Sequence, residues 1–600
     1  MGTSEEAGAV TGVFDDSNVD EVWERKRNTP VNYFLAGRNS RTLPVALSFV
    51  VTFQSSLMIL GFPAEGYAYG IGVAYCAVGS SVAYIFAALF IVPVFHPLKL
   101  TSVNEYFRLR YGNNVVRYMV LILGMIYSLF YMATVMVGTC VALDVVLGIP
   151  FWGTILIYSI VTTIYTSVGG IKAVIWTDVF QLLVMVTGMI VVLVKSTTGA
   201  GGVENVFEYA KDRFGSTDFR LDPTIRYQVW NTCFGTFGSF LYLTFLQPAM
   251  QRVYSTPTVQ TARNMYFIST PFYCVFMLMA SFEGVFIFAY FAAKQCDILG
   301  AGIVDNINAI LPFAVLDLFQ DLPGLAGLFT ASLSSAALST MSSCLSSLSA
   351  VTYEDIIKIK FPDLHANKAT KLSKVIVLVY GLIAMGLAFA VALIPGSVLA
   401  IFVGFMGSFG GPTVATYLLS MMYRKATTKG VVIGTICGSA IGLWLNLGST
   451  SSGLSSYPYL PSGPTEECSI YSVGPEFLNV STATIHSVAN NLTFFSVNKQ
   501  MSTSTISAGG NVRNLSILET FYSISYLLFS LIGTVTSLIV GFLVSLCTSP
   551  PEKFDERCLF SFRKHILLEL RGRKSSTNSN ADNVNDIEEM VDFITTDVEN

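Results

Sequence analysis

Long apolar runs separated by short polar connections dominate this chain. The runs are long enough to cross a bilayer as helices, because about 20 consecutive apolar residues span its hydrocarbon core. They lie near residues 43–70, 71–95, 116–143, 151–168, 174–195, 229–248, 265–292, 312–350, 374–394, 397–422, 430–447 and 521–546. The pattern predicts an all-α polytopic membrane protein with about twelve transmembrane helices.

Composition supports this class. The chain has 600 residues, of which 52% are hydrophobic and 12% charged, and its mean hydropathy is +0.59. It is too apolar and too large to form one soluble core. Residues 1–30 are polar and acidic, so we expect no cleavable signal peptide, and the first helix serves as the insertion signal. Residues 571–600 lack an apolar period and end in an acidic run, which predicts a disordered tail.

Lys and Arg residues predict the orientation, because they concentrate in cytoplasmic connections. With both termini in the cytoplasm, every second connection is basic, and Arg252 and Arg263 fall in one of these connections. The Asn-x-Ser/Thr sites all fall in the loop 448–520, which this topology places outside, and they predict a glycoprotein. These sites are Asn479, Asn491 and Asn514. We therefore expect a multi-pass protein of the plasma membrane.

The most informative run is residues 325–350, which carries eleven Ser or Thr hydroxyls and no charge. Hydroxyls in a membrane span need partners, so those that recur at helical spacing form a stripe facing protein or a cavity. Hydroxyl and carbonyl oxygens suit a hard cation such as sodium, whereas close packing through small residues is an equal alternative. The stripe consists of Ser335, Ser339, Ser342 and Ser346.

The first run is interrupted by Gly61, Pro63 and Gly66. A helix broken at mid-depth frees carbonyl groups for a cation and N–H groups for an anion, a device of many transporters. The alternative is a proline kink whose backbone groups bond to neighbouring helices. Glu65 favours the functional interpretation, because an ionisable residue inside a span is a functional candidate.

Asp178 lies a turn or two inside the helix that follows a Gly-Gly turn and Lys172. A carboxylate there can guide a departing cation to the cytoplasm. The alternative is a helix-end residue stabilised by the helix dipole and paired with Lys172.

Cysteine and histidine residues add little chemistry. Most of the ten cysteines lie in apolar runs, and only Cys296 and Cys468 fall in predicted external loops, where a disulfide is permitted. The four histidines are scattered, without the spacing of a metal cluster or a catalytic triad, so we expect no enzyme and no cofactor other than transported sodium. The expected partners are a lipid bilayer and a small anionic molecule, with no nucleic acid.

Six segments together resemble the sodium/solute symporter family, and in particular its branch of sodium-coupled monocarboxylate, multivitamin and iodide transporters. They are NYFLAGRN at 32–39, GFPAEGYAYG at 61–70, TSVNEYFRLRYG at 101–112, YTSVGGIKAVIWTDVFQ at 165–181, MQRVYSTPTVQTAR at 250–263 and PGLAGLFTASLSSAALSTMSSCLSSLSAVTYEDII at 323–357. The resemblance extends from about residue 32 to residue 548.

The resemblance implies a LeuT-like core of two inverted five-helix repeats. The expected parts are a cytoplasmic segment 1–42, the repeats 43–195 and 229–422, a C-terminal region 430–546 that contains the glycosylated loop 448–520, and a cytoplasmic tail 547–600. It implies a sodium site between the first and eighth helices, an aspartate near the sodium exit path, a disulfide and a weakly indicated substrate site. The implied sodium ligands are the carbonyls of Gln54, Leu57 and Ala336 and the hydroxyls of Ser339 and Thr340; the aspartate is Asp178, the disulfide joins Cys296 and Cys468, and the substrate candidates are Gly61, Phe62, Glu65 and Gln247.

The chain also departs from the family. Members normally begin with an extra transmembrane helix where residues 1–31 are polar, and the Gln common in the first helix is replaced by Met58. The spans show no Arg to pair with a substrate carboxylate.

The sequence predicts a sodium-coupled symporter for a small organic anion, a monocarboxylate first, with vitamin-like acids or inorganic anions next. The alternative is a non-transporting solute sensor or an inactive short isoform.

Overall fold

The structure is a computed structural model that describes residues 30–304, 307–393, 398–452, 459–469, 517–550 and 554–560. Every regular element within these residues is helical. The predicted glycosylation sites Asn479, Asn491 and Asn514 lie outside the described residues, as do residues 1–29 and the tail from 561 onward.

Thirteen helices build the bundle. They are α1 Thr42–Phe53, α2 Ser56–Tyr69, α3 Ile71–Leu98, α4 Val115–Leu147, α5 Phe151–Gly199, α6 Val229–Phe245, α7 Gln247–Ser255, α8 Val259–Ala293, α9 Pro323–Thr352, α10 Ala366–Val391, α11 Val398–Met422, α12 Thr428–Ser452 and α13 Phe529–Leu546. Shorter helices at Pro30–Leu35, Glu105–Tyr111, Val203–Tyr209, Lys211–Phe214, Ile310–Leu318 and Ile517–Tyr522 lie between or beside them.

The described helices include most of the predicted spans. Nine are long and apolar enough to cross a membrane, and the bent pair α1 and α2 adds a tenth. The 49-residue α5 is kinked at Gly170, where φ is 61°, and covers two of the predicted runs. Helices α6 and α7 cover the predicted run 229–248. The run 312–350 is not one element, because Ile310–Leu318 is separate from α9.

The first span is broken, but at a different place from the one predicted. Helix α1 ends at Phe53, α2 begins at Ser56, and the two axes differ by 58°. Gly61, Pro63 and Gly66 instead lie inside α2. The glycines serve close packing: a Cβ on Gly61 would lie 2.8 Å from the Leu399 side chain.

A second break was not predicted. Residues 229–248 were expected to form one helix, but α6 ends at Phe245 and α7 begins at Gln247, with Leu246 extended at φ −66° and ψ 148°. Pro248 in the first turn of α7 suits this start, because its missing N–H would be unbonded there in any case. Each of the two predicted repeats therefore begins with an interrupted helix.

The interrupted helices are enclosed by the long spans. Helix α2 packs against α8, helix α9 packs against α5, and α11, α12 and α13 form a separate group at one side. Every residue of α2 is buried. One end of the bundle carries the Cys296–Cys468 disulfide, and we call it the outer end.

Candidate ion and substrate sites at the helix breaks

The hydroxyl face of α9 meets the last turn of α1. The Thr340 hydroxyl donates to the Thr52 carbonyl at 3.2 Å, and the Ser343 hydroxyl lies 3.3 Å from the Thr52 hydroxyl. The Thr52 carbonyl belongs to the helix end that the break leaves without intrahelical partners. Each donating hydroxyl keeps lone pairs that a cation can use. The five predicted sodium ligands, Gln54, Leu57, Ala336, Ser339 and Thr340, are all buried in this region.

Asp178 is the centre of a buried network at the same junction. Its Oδ1 accepts from the Ser339 hydroxyl at 2.5 Å, and its Oδ2 accepts from Ser48 at 2.5 Å and from Arg252 at 2.8 Å. Arg252 also donates to Ser343 at 2.9 Å, so α1, α5, α7 and α9 share one set of polar contacts. The carboxylate touches a predicted sodium ligand directly.

Two sequence interpretations change here. Asp178 pairs with Arg252 and not with Lys172, and Arg252 is fully buried in α7 instead of lying in an exposed basic connection. The expectation that the spans show no Arg for a substrate carboxylate stays a prediction, because Arg252 is paired with Asp178. The signal in the sequence was that Arg252 stands only four residues after Pro248. In the structure both residues belong to α7, whose residues are all buried.

The break itself holds polar groups that no protein atom satisfies. Gln54 is 0% exposed, and neither its side-chain Oε1 nor its Nε2 has a hydrogen-bond partner among the described residues. The hydroxyl of Ser55 is likewise buried without a partner. Buried polar groups are normally bonded, so such a cluster indicates that a ligand or water completes it. The run of polar residues from Gln54 to Ser56 was the sequence signal for the break.

A narrow cavity extends from the break toward the outer end. Its lining is largely aromatic and aliphatic, and within the described residues it includes no charged side chain. Phe53, Met58 and Phe62 line it from the first span, and Tyr227 and Tyr526 line it near the outer end. We call this space the outer cavity. Of the four predicted substrate residues, only Phe62 lines it.

Glu65 and Arg226 form a second buried ion pair behind the outer cavity. Their charged atoms lie 2.6 Å apart, and Arg226 also donates to the Tyr69 hydroxyl at 3.1 Å. The guanidinium lies over the rings of Tyr69 and Tyr526 at 4.5 and 4.9 Å. Burial acts to lower the pKa of Arg226, but the negative charge of Glu65 and the surrounding phenols outweigh it; the pKa is raised and the group stays positive. Glu65 itself belongs to α2, so it lies beyond the break and not beside it.

Gln247 belongs to a different space. It lines a narrow cavity on the other side of the α6–α7 break, which we call the inner cavity. Its side-chain Nε2 donates to the Thr101 carbonyl at 2.7 Å, and its Oε1 accepts from the Val103 N–H at 2.8 Å. Both halves of the amide are thus used to fix the segment before Glu105–Tyr111. The structure separates Gln247 from Phe62.

Two tyrosine rings stand between the cavities. Tyr127 lines the outer cavity and Tyr242 lines the inner one. Their ring centroids are 4.9 Å apart and their planes are perpendicular. Both phenol oxygens are buried without a hydrogen-bond partner among the described residues. The rings form a thin partition between the outer and inner spaces.

This arrangement defines a class of protein. Two broken helices that face a hydroxyl-rich helix, with separate spaces on either side, are typical of secondary transporters. The chain belongs to the sodium:solute symporter family, whose model matches residues 33–438. The protein is thus a sodium-coupled solute symporter and not an enzyme.

The relatives and the solved structures agree with this class. The chain is 30% identical to the bovine (Bos taurus) sodium-coupled monocarboxylate transporter 2 over 88% of this chain and 81% of the relative. It is 32% identical to the human (Homo sapiens) sodium/iodide cotransporter over 87% and 79%, and 33% identical to the rabbit (Oryctolagus cuniculus) sodium-dependent multivitamin transporter over 87% and 78%. A substrate-bound, outward-open Na+-coupled sialic acid symporter superposes with a TM-score of 0.66 at 19% identity, covering 88% of this chain and 95% of that one, which shows the LeuT-like fold.

Proposed function

We propose that this protein imports a small organic anion, a monocarboxylate in the first instance, together with sodium across the plasma membrane. The observation that carries the proposal is the junction of the α1–α2 break with the hydroxyl face of α9. It joins oxygen ligands suited to sodium with the unsatisfied side chains of Gln54 and Ser55, next in the chain to Phe53, which lines the outer cavity.

Sodium binds first in this mechanism. Carbonyl oxygens near the break and the hydroxyls of Ser339 and Thr340 replace its water shell, and Asp178 adds negative charge beside Ser339. The bound ion links α9 to both sides of the break and so stabilises one arrangement of α1 and α2. That arrangement completes the substrate cavity, which Phe53, Met58 and Phe62 line from the two sides of the break.

The outer cavity suits a small, partly apolar anion. Its aromatic and aliphatic walls accept a short carbon chain, while hydroxyls in its lining, including the Tyr227 and Tyr526 pair, can donate to an anionic group. The names of the relatives include monocarboxylate, iodide and multivitamin transporters, and a monocarboxylate combines a short apolar part with a single charge.

Transport requires that sodium and the substrate bind with different affinity to two states of the protein, one with the outer cavity open and one with the inner cavity open. Sodium and substrate together favour the state that closes the outer cavity and opens the inner one, which requires the rings of Tyr127 and Tyr242 to separate. The contacts of Gln247 with Thr101 and Val103 hold the inner side closed until then. An inward membrane potential assists, because each net positive charge moved inward gains about 2.3 kcal/mol per 100 mV.

The test is uptake of radiolabelled butyrate into cells that express the chain, with sodium and then with choline in its place, while membrane current is recorded. We expect uptake that needs sodium and is accompanied by inward current. Uptake of iodide or biotin in place of butyrate would retain the symporter and replace its substrate. Surface protein that transports none of the three would contradict the proposal and favour a solute sensor or an inactive isoform.

A further inference from the structure

Among the described residues, no positively charged side chain lines the outer cavity, yet an anion has to enter it. Arg226 lies directly behind the two tyrosines that line its outer end, 4.9 Å from the ring of Tyr526 and 5.6 Å from that of Tyr227. Its side chain is only 9% exposed, so its charge acts with little screening by water.

Not all hydrogen-bond donors of the Arg226 guanidinium have a partner among the described residues. Its Nη2 donates to Glu65 and its Nη1 to Tyr69, but its Nε is buried without a hydrogen-bond partner among the described residues. An Arg presents a planar fork of donors, and a carboxylate is the group that matches such a fork. The guanidinium therefore keeps a donor that a second carboxylate can use.

The two lining tyrosines supply a further donor. The hydroxyls of Tyr227 and Tyr526 are 2.8 Å apart and bond to each other. That bond uses one of the two hydroxyl protons, and the other proton can be donated to a ligand. Arg226 and the tyrosine pair thus place charge and hydrogen-bond donors at the same end of the cavity.

We propose that Arg226, with Tyr227 and Tyr526, forms a carboxylate-recognition site at the outer end of the substrate cavity, and that Glu65 occupies the guanidinium when no substrate is present. The site deepens the proposed function and rests on the substrate being a carboxylate. An incoming carboxylate competes with Glu65 for Arg226, which gives the site selectivity for planar anions with two oxygens over spherical anions such as iodide.

The alternative is that Glu65 and Arg226 serve only to stabilise the fold. Four variants separate the two roles: Glu65→Gln, Arg226→Gln, the double variant that carries both changes, and Arg226→Lys. Because each single change to Gln leaves one buried charge without its partner, both are expected to reduce folding, and binding is compared per amount of folded protein. The double variant removes both charges while keeping polar side chains of similar size, so it provides folded protein that lacks the positive charge.

Butyrate binding to the purified full-length protein is measured in the presence of sodium. The readout is the rise in thermal unfolding temperature that the ligand causes. It does not depend on transport. We expect Glu65→Gln to bind butyrate at least as tightly as the wild type, since the competing carboxylate is gone. The double variant should bind about 10-fold to 100-fold more weakly, as fits the loss of hydrogen bonds to a charged group. Arg226→Lys should lie between them, and the sodium concentration for half-maximal stabilisation should change little.

Equal butyrate affinity in the double variant and the wild type would overturn the site and leave the proposed symport intact. Equal weakening in Glu65→Gln and the double variant would also overturn it, because that pattern indicates a purely structural ion pair. A wild type that binds no butyrate rejects the carboxylate site, whereas sodium-dependent iodide uptake by the same protein would still support a symporter. Butyrate binding without any uptake would retain the site and reject transport.

Discussion

Two buried arginine–carboxylate pairs of this protein have similar geometry and different surroundings. Arg252 and Asp178 lie 2.8 Å apart, and Arg226 and Glu65 lie 2.6 Å apart. The first pair is surrounded by hydroxyls from α1 and α9, whereas the second is surrounded by tyrosine rings. The first pair lies at the break in α1 and α2, and the second lies at the outer end of the cavity that begins there.

The surroundings indicate which ligand each pair serves. Every polar atom of Asp178 is bonded, and these bonds also orient the Ser339 hydroxyl, so this pair is suited to fix oxygen ligands around a small cation. Arg226 retains an unbonded donor next to an apolar, aromatic space, so its pair is suited to exchange one carboxylate for another. A fully bonded pair supports a fixed site; an incompletely bonded pair can accept a ligand.

The largest effect is expected from Asp178→Asn. The change leaves Arg252 buried without its counter-charge, and loss of one partner of a buried pair costs about 3 to 5 kcal/mol. We expect little protein at the surface and no sodium-dependent uptake, measured by surface biotinylation and labelled-substrate uptake. Glu65→Gln is the matched comparison: it also leaves a buried Arg without its counter-charge and should lower the amount of surface protein, but it should leave the sodium concentration for half-maximal uptake unchanged. Normal uptake by Asp178→Asn at a normal sodium concentration would show that the network does not support the cation site.

The next largest effect is expected from Ser339→Ala combined with Thr340→Ala. The two hydroxyls are proposed sodium ligands, and their loss should raise the sodium concentration for half-maximal uptake about tenfold or more, while the protein still reaches the surface. Ser332→Ala is the control, because Ser332 lies on the same helix and donates to the Met185 carbonyl. Replacing Thr340→Ala by Thr340→Ser in the double variant retains that hydroxyl and should restore part of the sodium affinity that the double variant loses. Unchanged sodium dependence in the double variant would reject these ligands.

The sequence predicted the fold more completely than the site. The helical class, the spans and the hydroxyl stripe follow from apolar run length and helical spacing, which are local properties. The breaks were harder to locate, because a helix ends where its carbonyl groups find other partners, and the partner of the Thr52 carbonyl is Thr340, 288 residues away. The Gly and Pro residues that indicated a break instead permit α2 to pack closely against its neighbours.

The two ion pairs could not be predicted for a related reason. Arg252 is separated from Asp178 by 74 residues and Arg226 from Glu65 by 161 residues. Counting basic residues in connections assigns Arg252 to the aqueous side, because the rule uses sequence position and not burial. Only the break before α7 turns Arg252 into the bundle. Local patterns thus predicted which residues are polar but not which of them meet.

The smallest effects come from removing a single hydroxyl beside each arginine, and they compare the two pairs most directly. Ser48→Ala deletes the hydroxyl that donates to Asp178 and accepts from Arg252, and Tyr69→Phe deletes the hydroxyl that accepts from Arg226 while keeping the ring. A single hydrogen bond typically contributes about 0.5 to 1.5 kcal/mol, which corresponds to about a twofold to tenfold change in affinity. We expect Ser48→Ala to raise the half-maximal sodium concentration and leave the KM for butyrate nearly unchanged, and Tyr69→Phe to do the reverse. If both variants changed both constants equally, the two pairs would act as one coupled unit, and the separation of cation and anion sites would be wrong.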